Sequence, residues 1–134
     1  MAKKLVLAVD DEKNIRLALS RALESPDIDV VTAMNGEEAL AALERRRADV
    51  MLLDINMPGM DGIEVLRRVA EAHPTTRVII VTAYGTIDRA VEAMKLGAVD
   101  FLEKPVTPDE VRRLVTDVLG RASLKADRTQ DYVG

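Results

Sequence analysis

The sequence predicts an α/β domain, a doubly wound five-stranded parallel sheet with helices on both faces. Three observations lead there. Short apolar runs at residues 5–9, 50–53 and within 77–82 read as strands buried on both faces, as strands of parallel sheets are. Segments with helical apolar spacing alternate with them. No hairpin turn chemistry joins one run to the next, so each strand reaches the following one through a helical crossover, right-handed by the general rule.

Taken in order, Leu5 to Val9 form the first strand, which ends at Asp10, Asp11 and Glu12. Ile15, Leu19 and Leu23 follow at four-residue spacing with Ala18 and Ala22 beside them. They make an amphipathic helix, opened by acids that suit a helix N-terminus and closed near Ser25-Pro26. Residues 28–33 are a more polar strand, placed nearer an edge. Asn35-Gly36 is a turn, and a second helix over 37–46 points Ala39, Leu40 and Leu43 inward. The third strand, 50–53, runs straight into Asp54, after which Pro58, Gly59 and Gly62 punctuate a loop. A helix over 63–72 carries Ile63, Leu66 and Ala70 on one face, and His73-Pro74 stops it.

The fourth strand, 77–82, ends on Thr82, and Tyr84-Gly85 breaks the chain. A helix over 86–96 is expected to turn Ile87, Val91 and Met94 inward, with Gly97 just past its end. A short fifth strand at 99–102 leads into Glu103-Lys104-Pro105. The last helix starts at Thr107-Pro108-Asp109-Glu110, with Thr as cap, Pro at the first position and Glu at the third. Val111, Leu114, Val115, Val118 and Leu119 give its apolar stripe. Past Leu119 the pattern fades. Residues 1–120 are therefore expected to be the domain, and 121–134 a polar C-terminal tail, frayed helix end or start of a linker.

Composition narrows the function classes. In 134 residues, 48% are hydrophobic and 31% charged, which fits one soluble globular domain with a core of its own. The absence of cysteine excludes disulfides and thiolate metal sites. The single histidine, His73, lies away from the strand-end acids, which removes His-based zinc sites and most Ser-His-Asp schemes. The longest apolar run is about five residues, far short of the ~20 a membrane helix needs. Met1-Ala2-Lys3-Lys4 leads directly into a strand without the apolar region of a secretory signal, so a cytoplasmic location is expected, with no membrane association. A formal net charge of -4 argues against direct nucleic-acid binding by this chain.

The strand exits carry the chemistry. They bear Asp10 and Asp11, Asp54, Thr82 and Lys104, and in a parallel sheet they share one edge. Taken singly, each has an ordinary explanation. Asp54, Asp10 or Thr82 would be a helix or turn cap, and Lys104 a solvated surface lysine. Together they are complementary. In the flavodoxin-like order 2-1-3-4-5, which belongs to the fold type and is not dictated by spacing, the first and third strands are neighbours and the three acids converge. Three carboxylates in one crevice call for a cation, and hard oxygen donors without His or Cys point to Mg²⁺. A hydroxyl and an ammonium beside them suit phosphoryl oxygens. A carboxylate can attack phosphorus to give an aspartyl phosphate, and Asp54, between the others, is the best-placed acceptor.

The motifs Val9-Asp10-Asp11-Glu12, Leu52-Leu53-Asp54-Ile55-Asn56-Met57-Pro58-Gly59-Met60-Asp61-Gly62, Val81-Thr82-Ala83 and Asp100-Phe101-Leu102-Glu103-Lys104-Pro105 resemble, in order and spacing, the receiver domain of bacterial two-component response regulators. The resemblance covers about residues 4–120 and shows no departure at the active-site positions. It implies that Asp54 accepts a phosphoryl group from a sensor histidine kinase. It implies Mg²⁺ held by the side chains of Asp11 and Asp54, by the backbone carbonyl of Asn56 and, through water, by Asp10. Thr82 would bond the phosphoryl group and Lys104 would pair with it. Phe101 falls at the family's switch position, and Lys104-Pro105 where the family has a cis peptide, aiming the lysine into the site. Tyr84, two residues past Thr82, would lie over the site and tune the lifetime of the acyl phosphate; a tyrosine packed on the loop surface is the plainer alternative.

Thr82-Ala83-Tyr84-Gly85, Ala90 to Lys95 and Gly97-Ala98 look like receivers attached to AAA+ enhancer-binding activators. Such receivers often dimerise through the fourth and fifth helices, which makes that face the candidate homodimer surface. No Gly-x-x-x-x-Gly-Lys-[Ser/Thr] loop is present, so the chain is expected to be a stand-alone receiver or the N-terminal domain of a longer transcriptional regulator. The expected function is a phosphorelay switch that catalyses only its own phosphorylation and dephosphorylation and changes its helix 4–strand 5–helix 5 face. Two alternatives stand beside it: a Mg²⁺-dependent phosphohydrolase working through an aspartyl phosphate, and an interaction module that is never phosphorylated. The first wants Asp-x-Asp after its first strand, whereas here Asp54-Ile55-Asn56 follows the third.

Overall fold

Five parallel strands, β1 (Lys4–Val9), β2 (Ile28–Ala33), β3 (Val50–Leu53), β4 (Arg77–Thr82) and β5 (Asp100–Glu103), pair in the order β2-β1-β3-β4-β5 in a computed structural model. The structure describes residues 3–83 and 87–133, with side chains placed through residue 121. Helices α1 (Lys13–Leu23), α2 (Gly36–Arg45), α3 (Gly62–Ala72), α4 (Ile87–Lys95) and α5 (Pro108–Val133) make the crossovers. The expected architecture and strand order are both present.

The apolar strand sequences have a direct structural cause, because alternate residues enter two separate cores. Leu5, Leu7, Val9, Met51, Leu53, Val78 and Ile80 pack on one face with Ala39 and Leu43 of α2, Val65, Leu66 and Val69 of α3, and Ala93 of α4. Val6, Ala8, Val50, Leu52, Ile79 and Val81 pack on the other with Leu19, Ala22 and Leu23 of α1 and Val111, Val115 and Val118 of α5. Each fully buried aliphatic side chain contributes about 1.5–3 kcal/mol of transfer free energy, so both faces are needed to hold the domain. The edge strand β2 is only partly covered, with Val31 exposed, as its mixed sequence suggests.

Local chemistry sets the helix ends. Thr107 Oγ1 accepts from the N–H of Glu110 at 3.1 Å, and Glu110 Oε1 accepts from the N–H of Thr107 at 3.0 Å, completing the capping box read from sequence. Asn35, expected in a turn, caps α2 by accepting from the N–H of Glu38 at 2.8 Å. Gly97 lies at φ 114° just past α4, where a side chain would be strained.

Several inward positions differ from expectation. In α3, Val65 and Val69 fill the core and Ala70 is exposed; Ala18 of α1 is exposed as well. The larger difference is α4. Ile87 is 83% exposed, Val91 and Met94 also face solvent, and Ala93 is the buried residue. The helix turns its small face to the sheet, and its large apolar residues form the outer stripe. α5 continues as helix to Val133, past the end of its apolar stripe.

Candidate functional site

The residues singled out by sequence meet at the carboxyl edge of the sheet because the ladders end in step. Val9 pairs with Leu53 and Thr82 with Glu103. One residue further, the N–H of Asp54 still reaches the carbonyl of Val9 at 3.1 Å, and that of Lys104 reaches the carbonyl of Thr82 at 3.0 Å. Asp10, Asp54 and Thr82 are among the few buried polar residues, 1%, 5% and 0% exposed. Asp11 is exposed at the lip, yet Asp10, Asp11 and Asp54 each bring a carboxylate oxygen within 4.8 Å of one another.

Both carboxylate oxygens of Asp54 have an assigned contact. Its Oδ1 accepts from the N–H of Asn56 at 2.9 Å, and its Oδ2 accepts from Lys104 Nζ at 3.2 Å. The same ammonium donates to Asp10 Oδ2 at 2.5 Å, while Asp10 Oδ1 accepts from the N–H of Glu12 at 2.9 Å. Asn56 Nδ2 donates to Thr82 Oγ1 at 3.0 Å, so the threonine hydroxyl is tied to the loop that follows β3. The Lys104-Pro105 peptide is cis. Phe101 is half-buried, packed at the margin of the core that α2, α3 and α4 share. Tyr84 lies outside the described residues.

Three carboxylates against one ammonium leave the crevice net negative. Burial is the main force holding Asp10 above the usual carboxylate range, and the neighbouring charge of Asp54 adds to it. The hydrogen bonds from Lys104 and from the Glu12 N–H only partly offset this. For Lys104, burial pulls the ammonium down, but the bonds and charges of Asp10 and Asp54 outweigh it and the net direction is up. The lysine is thus held protonated. A hard divalent cation would complement this donor set. Clustered carboxylate oxygens, with no His or Cys in the group, fit Mg²⁺.

Two supports were not read from sequence. Arg16 donates from a terminal guanidinium nitrogen to the backbone carbonyl of Asp10 at 2.7 Å, bracing the turn that carries Asp10 and Asp11. Its place one turn into α1, beside Ile15, was the available signal. Gly62 is the second. A Cβ there would stand 2.3 Å from Ile55 Cα and 2.6 Å from the Asp54 carbonyl oxygen, so the start of α3 lies directly on the backbone of Asp54 and Ile55. Asp61 caps that helix by accepting from the N–H of Ile63 at 2.9 Å.

Comparison with known proteins shows what the chain is similar to. The family model described as the response regulator receiver domain matches residues 6–116. The DNA-binding transcriptional regulator NtrC of Salmonella typhimurium is 45% identical over 115 residues, covering 86% of this chain and 24% of NtrC. Sporulation initiation phosphotransferase F of Bacillus subtilis is 40% identical over 119 residues, covering 89% of this chain and 96% of that protein. Among solved structures, a CheY-like receiver domain protein from Methanospirillum hungatei superposes with TM-score 0.88 at 28% identity, covering 92% of this chain and 99% of that one. NtrX from Brucella abortus superposes with TM-score 0.88 at 33% identity, with 96% of this chain on 30% of NtrX. The chain therefore spans about a quarter of the length of NtrC.

Proposed function

The chain belongs to the response regulator receiver domain family, and from that premise we propose that it is a phosphoacceptor switch with Asp54 as the acceptor. One observation carries the reading. The Asp54 carboxylate sits at the end of a buried strand, with Oδ1 on a backbone N–H, Oδ2 on an ammonium, and two more carboxylates beside it. A carboxylate oxygen attacks the phosphorus of a phosphohistidine on a sensor histidine kinase. The new O–P bond forms as the P–N bond breaks, and the departing imidazole takes a proton. Lys104 passes from Asp54 Oδ2 to an oxygen of the transferred group, and Thr82 donates to another once its hydroxyl turns from Asn56. Asp10, Asp11, Asp54 and the backbone carbonyl of Asn56 would hold Mg²⁺, which when bound supplies positive charge for the phosphoryl oxygens.

The new charge acts on Thr82, Phe101 and Tyr84 and so on the face made by α4, β5 and α5. In this reading residues 1–120 are the receiver and 121–134 a tail or linker start, in a cytoplasmic protein that regulates transcription as part of a longer chain or acts as a stand-alone receiver. The α4–α5 face is the candidate homodimer surface. Against the phosphohydrolase alternative, the residue two past Asp54 is Asn56, whose amide donates to Thr82 and cannot serve as acid or base.

The test is incubation with Mg²⁺ and acetyl phosphate, followed by intact mass. One acid-stable, base-labile phosphate is expected, and none on Asp54→Asn. Equal labelling of that variant refutes the acceptor assignment, and multiple turnover of a phosphate ester would favour the hydrolase.

A further inference from the structure

Helix α4 is held to the domain by little apolar burial. Its nine residues bury Ala93, while Ile87, Val91 and Met94 face outward. A helix this short is not stable by itself, and one methyl group contributes little to keeping it in place. Among the contacts that cross from it to another element is a pair of bonds from Arg89 in its first turn. The guanidinium donates to Asp61 Oδ1 at 3.0 Å and to Oδ2 at 3.3 Å. Asp61 is a stiff anchor. It caps α3, and the next residue, Gly62, is packed onto the backbone of Asp54 and Ile55. The loop from Asp54 to Gly62 therefore carries the acceptor carboxylate at one end and the tether of α4 at the other. The chain entering α4 starts from Thr82, which the same loop holds through Asn56.

We propose that the Arg89–Asp61 ion pair is a latch that restrains α4 against the acceptor loop, and that loosening it favours the form adopted when Asp54 carries a phosphoryl group. The regulatory consequence rests on the phosphoacceptor reading above; the restraint on α4 does not. The pair is partly exposed, so its effect is modest and salt-sensitive, about two- to fivefold in an equilibrium.

The experiment is a double-mutant cycle on the full chain with Arg89→Gln and Asp61→Asn. Asparagine caps a helix as well as aspartate, so α3 keeps its cap while the charge pair is lost, and the cycle separates the pair from other contacts of Arg89. Amide hydrogen exchange across residues 91–95 is expected to quicken by about two- to fivefold in each single variant and little further in the double; Arg89→Lys should retain part of the protection. High salt should reproduce the change in the wild type and leave the double variant unmoved. With Mg²⁺ present, half-saturation by beryllofluoride, a phosphoryl mimic, should fall by a similar factor in the variants. Unchanged exchange, or effects that simply add, overturns the latch, and a rise in half-saturation overturns its link to activation. A wild type that takes neither beryllofluoride nor acetyl phosphate overturns the phosphoacceptor reading instead, and exchange alone then decides the latch.

Discussion

Replacing Gly62 with alanine tests the close approach of α3 to the backbone of Asp54 and Ile55. The added methyl would lie 2.3 Å from Ile55 Cα and 2.6 Å from the Asp54 carbonyl oxygen, against the 3.4–4 Å of ordinary contact. Both obstructing atoms belong to backbone, so no side chain can swing aside. α3 must retreat by about an ångström, which loosens Ile63 and Leu66 in the core beneath it. Overpacking of this kind costs about 1–3 kcal/mol, and retreat of a core helix places it toward the upper end. The gain of about 0.5–1 kcal/mol from exchanging glycine for alanine in a helix offsets part of it. A net loss of about 2 kcal/mol lowers Tm by about 6–10 °C for a chain of this size. Gly120→Ala is the control, since nothing lies within 4 Å of its Cβ position and helix propensity alone should stabilise it by up to about 1 kcal/mol. Urea and thermal unfolding of the three proteins, with acetyl phosphate labelling of each, give the comparison. If Gly62→Ala is as stable as the wild type and labelled at the same rate, the reasoning about this contact is wrong.

Mg²⁺ at about a hundredfold over its Kd should raise unfolding stability by about 2.7 kcal/mol through mass action. Asp11→Asn, at an exposed position, should abolish most of that gain while changing metal-free stability by no more than about 0.5 kcal/mol; equal Mg²⁺ shifts in both proteins would remove Asp11 from the ligand set. Asp10 titrates above the ordinary carboxylate range in the folded protein, so its ionisation opposes folding. The stability linked to its protonated form is present at low pH and is lost as pH rises through the folded-state value. Chelator-treated Asp10→Asn should therefore gain stability relative to wild type as pH rises through the raised folded-state value and hold that advantage above it; a difference that does not change with pH would contradict the upward shift at Asp10.

The sheet was legible because parallel strands covered on both faces leave continuous apolar runs, and residues 5–9 and 50–53 have no other reading at that length. The capping box at Thr107 was legible because both halves lie within four residues. The convergence of Asp10, Asp11, Asp54 and Lys104 was legible once the strand exits were placed on one edge. The outward face of α4 was not. Ile87, Val91 and Met94 form a helical stripe, but periodicity marks a stripe without saying whether anything covers it, and Ala93 on the opposite side permits closer approach to the sheet. The amide of Asn56 on Thr82 and the guanidinium of Arg16 on the Asp10 carbonyl depend on loop conformation, which spacing does not encode. The roles of individual site residues came with the family resemblance rather than from pattern.

Filling both faces of the sheet with aliphatic residues has a cost in alignment. In a strand that is polar on one side, a slip of one residue would drive polar groups into the core, and that penalty fixes the pairing. β1, β3 and β4 have no such safeguard, because a slip exchanges one apolar side chain for another. What discriminates is at the strand ends. Asp49 Oδ2 accepts from the N–H of Leu5 at 2.9 Å where β1 and β3 begin, and Lys104 joins Asp10 and Asp54 where they finish. Asp49 at one end and the contacts of Lys104 with Asp10 and Asp54 at the other thus mark the aligned ends of β1 and β3.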